Sequence, residues 1–315
     1  MERPRILVLG AGGIGGYYGG RLAEIGGDVT FLVREKRQVN IEQNGLIIAS
    51  PAGNAIIKAK TILASELQPN YDFIFLTCKA YDLEDAIAAI APAMSEGASV
   101  IPFLNGMAHM DRLNEIFGKA NVLGGSVIIQ ATLGQDGIIH HLNNTAALVF
   151  GEQDGGLSER TAILDSAFNG AKGLQVSAVP DILQRMWNKW VQLSAFAGMT
   201  CLMRASLGDI NRAHGGREAM SRYIITNAEI AAHYGFAVNA DAFDAIKHLL
   251  LDDQSVGTSS MLRDIEHGNR VEGDHILGDL LQRAEAANIK HPILELAYSH
   301  VKAYEERKKR ETSPL

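Results

Sequence analysis

The sequence predicts an α/β protein in which a doubly wound parallel sheet precedes an all-helical C-terminal domain. Two observations support this fold class. As far as Leu123, short apolar runs alternate with helix-like segments, the pattern of a parallel sheet covered by helices. From Pro180 onward, apolar residues recur at the 3.6-residue spacing of amphipathic helices. We therefore expect two domains, residues 1–180 and 181–315.

Four apolar runs are predicted to form the parallel sheet, and three later runs are predicted to extend it with antiparallel strands. The parallel strands are Ile6–Leu9, Val29–Val33, Phe73–Thr77 and Ser99–Leu104. The antiparallel strands, separated by Gly-Gln-Asp-Gly and Asn-Asn turns, are Ser126–Thr132, Gly137–His141 and Ala146–Phe150. A helix near Ser158–Gly170 and a strand around Leu174–Ala178 complete this half.

The C-terminal half is predicted to be helical throughout. Its boundary is marked by Pro180 followed by Asp181, because proline and an N-capping acid together punctuate a helix start. The predicted helices are Asp181–Ala205, Arg217–His233, Ala240–Leu251, Glu272–Ala287 and Pro292–Arg310. The apolar stretch Trp190–Met203 contains Gln192 and is too short to span a bilayer, so it is predicted to be a buried helix.

Composition and charge exclude several function classes. With 47% hydrophobic and 21% charged residues, the chain has the composition of a globular protein. A net charge of −7, with basic residues clustered only at Arg307–Arg310, argues against binding to nucleic acid or a membrane. The two cysteines, Cys78 and Cys201, lie in apolar runs, which argues against a disulfide framework. The first strand begins shortly after Met1, so we expect no signal peptide and a cytoplasmic location.

A G-x-G-x-x-G sequence follows the first strand directly and precedes a helix, the context of a Rossmann-type dinucleotide site. The motif consists of Gly10, Ala11, Gly12, Gly13, Ile14 and Gly15. Gly10 permits the tight turn, Gly12 lets the backbone approach a pyrophosphate, and Gly15 allows close helix–strand packing. The pyrophosphate then lies at the helix N-terminus, where N–H groups and the dipole favour an anion. A purely structural glycine turn is the alternative interpretation.

The residue at the end of the second strand selects the cofactor. Sites for NAD usually place an acid there to hold the ribose hydroxyls. Here the strand ends at Arg34, whose guanidinium suits a 2′-phosphate, so the sequence favours NADP(H). Glu35 is the competing residue, and it would favour NAD if it faced the ribose instead.

Two more strand ends carry polar residues, and ligands of doubly wound sheets bind at the carboxyl ends of strands. Lys79 follows the third parallel strand, at the expected mouth of the cofactor cleft. Asn105 follows the fourth. An ordinary solvated lysine and a simple Asn-Gly turn are the structural alternatives.

Lys189 lies on an apolar helix beside Trp187 and Trp190, the only two tryptophans in the chain. Desolvation there should lower the pKa of the lysine, which would suit it to donate a proton near neutral pH. The alternative is a lysine whose stem covers apolar surface while its ammonium group stays in water.

Glu272 lies near the start of a long predicted helix, where the helix dipole alone would favour an acid. Glu272 with Asp274 and His275 does not match a metal-ligand spacing. Neither do His140 and His141. The sequence therefore predicts no bound metal.

These motifs resemble, in order and rough spacing over nearly the whole chain, those of the ketopantoate reductase (2-dehydropantoate 2-reductase) family. The segments that carry the resemblance are GAGGIGG at Gly10–Gly16, TCKAYD at Thr77–Asp82, LNGM at Leu104–Met107, WNKW at Trp187–Trp190, SSML at Ser259–Leu262 and RVEGDHILG at Arg270–Gly278. The resemblance implies NADPH-dependent reduction of a small 2-keto acid, ketopantoate, to a 2-hydroxy acid in pantothenate synthesis.

The resemblance also implies roles for individual residues. Lys189 matches the family's proton donor, and Glu272 matches the glutamate close to both substrate and nicotinamide. Ser260 matches the serine that binds the substrate carboxylate, and Asn105 matches an asparagine that touches cofactor and substrate. The residues that match basic groups around the NADP phosphate, and a small cofactor-contacting residue, are Arg34, Lys79 and Ala131.

Three positions depart from the family pattern. Leu193 and Ala197, one and two helical turns after Lys189, stand where the family has asparagines, and Leu207 stands at a third such position. We therefore expect a more apolar pocket. Two further hypotheses remain: a family reductase for a more apolar 2-keto acid, and an NADP(H)-binding protein without catalysis. The sequence leaves open whether the helical half forms a homodimer.

Overall fold

The computed structural model of the protein describes residues 3–312, which form two compact units. Of the described residues, the first comprises 3–104 and 109–182, and the second comprises 105–108 and 183–312. The short segment Asn105–Ala108 therefore groups with the helical unit, although it follows the sheet along the chain. Within residues 3–312, no helix combines the length and apolarity needed to cross a bilayer.

The first unit holds the strands and the helices α1 to α5. The strands are β1 (Arg5–Leu9), β2 (Asp28–Leu32), β3 (Leu46–Ala49), β4 (Ala55–Ile57), β5 (Lys60–Ile62), β6 (Phe73–Leu76), β7 (Ser99–Pro102), β8 (Gly124–Leu133), β9 (Ile139–Gly151) and β10 (Gln175–Ala178). The helices are α1 (Gly13–Glu24), α2 (Glu35–Asn44), α3 (Leu83–Ile90), α4 (Ala108–Phe117) and α5 (Glu159–Ala167). Short 3₁₀ turns lie at Ala64–Glu66, Ala80–Asp82, Ala91–Ala93 and Lys119–Asn121.

A five-stranded parallel sheet forms the centre of the first unit, in the order β5-β2-β1-β6-β7. The sheet is therefore doubly wound, as the sequence predicts. Leu9 of β1 pairs with Leu32 on one side and Leu76 on the other, so three strands end at one level. The chain turns away from the sheet there, which places the ends of β1, β2 and β6 beside one another. The short strand β5 was not predicted.

The antiparallel strands do not extend this sheet, and that prediction is wrong. β9 pairs with β8 on one side and with β3 and β10 on the other, and β4 joins β3 in a second sheet. The predicted runs on either side of the Asn-Asn pair are one strand, β9. Its register with β8 shifts between Ile129 and Ala131, where Asn143 Oδ1 accepts the N–H of Gln130 at 3.1 Å. Asn143 therefore accepts a backbone N–H at the point where the strand pairing is irregular, and it does not form a turn.

Helix α1 packs between the two sheets. A Cβ on Gly19 would lie 2.9 Å from the ring of Phe31 in the parallel sheet. A Cβ on Gly16 would collide with Cδ1 of Ile139 in the second sheet. The helix ends in a Schellman pair, because the N–H groups of Gly26 and Gly27 donate to carbonyls of its last turn. The glycine-crowded opening segment therefore forms a helix that approaches backbone and side chains closely on two faces.

The second unit is helical, as predicted. Its helices are α6 (Ile182–Met203), α7 (Leu207–Arg212), α8 (Gly216–His233), α9 (Ala240–Leu250), α10 (Ser260–Glu266), α11 (Asp279–Ala286) and α12 (Pro292–Thr312). The short helices α7 and α10 were not predicted. The expected single helix Glu272–Ala287 begins instead as a π-helical turn, Asp274–Gly278, before it continues as α11. Glu272 therefore precedes the regular helix.

Candidate functional site

The glycine turn has the geometry that a dinucleotide requires. Gly10 adopts φ +89°, a conformation that glycine tolerates, and its N–H donates to Leu32 O at 2.9 Å. A Cβ on Gly15 would collide with Thr77 Oγ1, so only glycine lets α1 approach the end of β6 this closely. A Cβ on Gly12 would meet nothing within 4 Å. The turn is thus closely packed against the end of β6 at Gly15 and has open space beside Gly12.

A cleft of about 490 Å³ lies at the carboxyl ends of the parallel strands, within the first unit. It is lined by the glycine turn, the ends of β2 and β6, and alanines of α3. Ala131 approaches the same turn, since its carbonyl oxygen would lie 2.5 Å from a Cβ on Gly13. Cys78 lines the cleft, and Lys79 is the next residue, exposed at the start of a 3₁₀ turn. The predicted cofactor residues of the first unit therefore gather around one opening.

Arg34 lies exposed at this opening. It is the exposed N-cap residue of α2, and it lines both the cleft and an adjoining open depression of about 500 Å³. Lys36 and Ser65 also line the depression. Arg34 makes no ion pair or hydrogen bond through its side chain within residues 3–312. Glu35 lines the depression but not the cleft.

In the second unit, Lys189 is half-buried on α6, and its sequence neighbours Trp187 and Trp190 are buried. Burial lowers the pKa of Lys189 to about 8, and the negative charge of Glu272 limits the decrease. The direction of this shift agrees with the prediction from the tryptophans. The amine is therefore mostly protonated at neutral pH yet far more acidic than an exposed lysine.

A π-helical turn holds Glu272 close to Lys189. The Nε1–H of Trp190 donates to the carbonyl of Ile276 at 2.9 Å, which joins α6 to this turn. The N–H of Ile276 in turn donates to the carbonyl of Glu272 at 3.0 Å. π-helical turns occur frequently at functional sites because they displace side chains from regular helical positions.

His275 is a site residue that sequence reasoning missed. Burial lowers its pKa, while the charge of Glu272 and a hydrogen bond with the Asn105 backbone oppose that change. Gly106, which follows Asn105, has φ +77°, and a Cβ there would lie 2.8 Å from the His275 carbonyl oxygen. Asn105 is thus brought to the π-helical turn that follows Glu272. The sequence offered His275 only as a rejected metal ligand.

Ser260 lies apart from these contacts. It is the exposed first residue of α10, and its hydroxyl has no hydrogen-bond partner within residues 3–312. The neighbouring Ser259 is buried and caps the helix, since its Oγ accepts the N–H of Leu262 at 3.1 Å and the hydroxyl of Thr200 at 2.8 Å. Of the two serines, only Ser260 presents a hydroxyl for a ligand.

The three departures from the family pattern differ in exposure. Leu193 is half-buried one turn after Lys189, whereas Ala197 and Leu207 are fully buried. Leu193 is therefore the most solvent-exposed of the three apolar replacements. Within residues 3–312, no group of three His, Cys, Asp or Glu side chains is arranged to hold a metal ion.

Two family models match the chain, one in each half. The model described as "Ketopantoate reductase PanE/ApbA" matches residues 6–155. The model described as "Ketopantoate reductase PanE/ApbA C terminal" matches residues 181–305. Together they contain the glycine turn, Asn105, Lys189 and Glu272.

Individual proteins are similar over almost their whole length. "Uncharacterized oxidoreductase YkpB" of Bacillus subtilis is 36% identical over 304 residues, which cover 96% of this chain and 100% of that protein. The crystal structure of 2-dehydropantoate 2-reductase from Methylococcus capsulatus has a TM-score of 0.87 at 26% identity and covers 99% of both chains. The ternary structure of D-mandelate dehydrogenase with NADH and anilino(oxo)acetate has a TM-score of 0.84 at 19% identity, over 97% of this chain and 99% of that chain, a likeness of fold alone.

Proposed function

Because the chain belongs to the ketopantoate reductase family, we propose that it reduces ketopantoate to pantoate with NADPH, a step of pantothenate biosynthesis. Its membership of this oxidoreductase family does not depend on the identity of the substrate. The proposal rests chiefly on one observation: Lys189, with its pKa lowered to about 8, lies beside a carboxylate in a chain that also carries a dinucleotide turn.

The nucleotide is proposed to bind in the first unit, residues 1–180, with the glycine turn holding its pyrophosphate. Gly12 supports this assignment because the space beside its Cα is open. Arg34 supports NADP(H) over NAD(H), since its guanidinium is exposed, has no partner within residues 3–312 and can pair with a 2′-phosphate. Lys79 and Ala131 are proposed as further cofactor contacts.

The nicotinamide, when bound, supplies the hydride that reduces the ketone carbon. Residues 181–315 are proposed to supply the proton. Negative charge develops on the ketone oxygen, and the ammonium group of Lys189 stabilises it and then donates a proton from Nζ. With a pKa of about 8, roughly ten in eleven Lys189 side chains are protonated at pH 7.

Glu272 is proposed to orient the Lys189 ammonium group and to keep it charged, because its carboxylate raises the pKa that burial lowers. Ser260 is proposed to bind the substrate carboxylate, supported by its exposed hydroxyl, and Asn105 is proposed to contact both substrate and cofactor. Cys78 and Cys201 form no disulfide, which suits the reducing cytoplasm, where we place the reaction.

One assay tests the proposal: NADPH oxidation by the pure protein with ketopantoate and with longer-chain 2-keto acids. We expect turnover of ketopantoate that is lost in Lys189→Ala and kept in Lys247→Ala, which removes a partly exposed lysine of α9 that pairs with Asp244. Turnover only of the longer-chain acids would refute the substrate and favour the apolar-substrate hypothesis. Tight NADPH binding without turnover of any acid would refute both enzyme assignments.

A further inference from the structure

We propose that Arg37 is a positioning residue that fixes the glycine turn for the pyrophosphate of any dinucleotide and is not a ligand of the 2′-phosphate. This inference rests on the proposed use of a dinucleotide by the first unit, but it does not depend on the identity of the substrate. Arg37 lies three residues after Arg34, on the first turn of α2.

The guanidinium of Arg37 is committed to protein acceptors. Its Nε and Nη2 donate to the carbonyl of Ala11 at 3.2 and 3.0 Å. Its Nη1 donates to the carbonyl of Gly137 at 2.9 Å and to Asn40 Oδ1 at 2.6 Å. An arginine has five N–H donors, so these four bonds leave one for any other acceptor.

The bonds to Ala11 determine how the turn faces its ligand. In a trans peptide, the C=O of Ala11 and the N–H of Gly12 point in opposite directions. Because Arg37 holds the carbonyl, the N–H of Gly12 is directed away from the guanidinium. Ala11 and Gly12 both line the cleft, so the same bonds keep the carbonyl oxygen from turning toward an incoming anion. A turn already held in this orientation loses little entropy when a pyrophosphate binds.

The bond to Gly137 joins the turn to a second element. Gly137 lies at the tip of the β8–β9 hairpin, where its N–H donates to Gly134 O at 3.0 Å. The same hairpin supplies Leu133 to the wall of the cleft and places the Ala131 carbonyl against the start of α1. Arg37 therefore connects the floor of the cleft to one of its walls.

Arg34 provides the contrast within one helix turn. Arg34 is exposed and has no side-chain partner within residues 3–312, whereas Arg37 is half-buried and nearly saturated with acceptors. The two arginines should therefore affect cofactor binding in different ways. Loss of Arg34 should remove discrimination for the 2′-phosphate, and loss of Arg37 should weaken every ligand that carries a pyrophosphate.

The test measures dissociation constants by titration calorimetry for NADPH, NADH and 2′-AMP, a ligand with the 2′-phosphate but no pyrophosphate. For Arg37→Met we expect NADPH and NADH to weaken by the same factor, about tenfold or more, with 2′-AMP unchanged. For Arg34→Met we expect NADPH and 2′-AMP to weaken by about tenfold or more, with NADH unchanged.

Arg37→Lys covers the case in which the methionine variant fails to fold. A lysine keeps the charge but cannot bridge two carbonyls from one planar group, so the same uniform loss is expected. Selective loss of NADPH and 2′-AMP in either Arg37 variant, or no loss at all, would overturn the inference. If the wild-type protein binds NADPH but does not reduce ketopantoate, the proposed substrate fails and the role of Arg37 stands. If it binds neither dinucleotide, both fail.

Discussion

The pKa of Lys189 predicts an alkaline limit to catalysis. Since the protonated amine is the proposed acid and its pKa is about 8, kcat/KM should fall above that pH by about tenfold per unit. From pH 7 to pH 9 the protonated fraction decreases from roughly ten elevenths to one eleventh, which is about a tenfold loss. An exposed lysine would show no such loss below pH 10. The measurement is kcat/KM for the 2-keto acid from pH 6 to pH 10 with saturating cofactor.

Glu272→Gln sharpens this test. Removing the carboxylate removes the charge that raises the pKa of Lys189, so the alkaline limb should move to lower pH. Asp274→Asn is the matched control, because Asp274 is exposed on the same turn and pairs with Lys302 and Tyr298 instead. An alkaline limb that stays near pH 10 in the wild-type protein, or that rises in Glu272→Gln, would refute the assignment of Lys189 as a buried acid.

Two further predictions concern cofactor binding and stability. Gly15→Ala should abolish NADPH binding and lower Tm, because the new Cβ would collide with Thr77 Oγ1 and lie 2.5 Å from Gly10 O; normal affinity would contradict this packing. His291 is buried with Nε2 bonded to Asn227 at 3.0 Å, and burial lowers its pKa to about 4. Its unfolded form binds a proton near pH 6.5, so the free energy of unfolding should fall between pH 6.5 and pH 4 by up to about 3 kcal/mol. Urea unfolding at pH 7 and pH 5 measures this decrease. An equal decrease in the free energy of unfolding of His291→Gln would show that another group is responsible.

The features that sequence could predict are those that local chemistry determines. The glycine turn follows from the order of strand, glycines and helix. The lowered pKa of Lys189 follows from its place in an apolar helical segment, with a tryptophan two residues before it and another directly after it. Arg34 could be named because it follows β2 closely along the chain, at the start of α2. Each of these depends on neighbours within a few positions along the chain.

The features that were missed depend on distant contacts. The second sheet exists because β9 pairs with strands from three other parts of the chain, and that pairing overrides the turn tendency of its two asparagines. The π-helical turn, which brings His275 to the Asn105 backbone, is held by Trp190 from a helix 86 residues away. No periodicity in the segment Arg270–Gly278 indicates that contact.

The position of α1 between two sheets has a consequence for how this helix tolerates change. A larger side chain on one face of a surface helix can be absorbed when the helix moves outward. Here a shift that relieves Gly19 against Phe31 carries Gly16 into Ile139, and the reverse shift fails in the same way. The helix has no direction in which to retreat, so it sets the spacing between the two sheets. A substitution at Gly16 should therefore need a smaller residue at Ile139 of β9, and one at Gly19 should need smaller residues at both Val8 of β1 and Phe31 of β2.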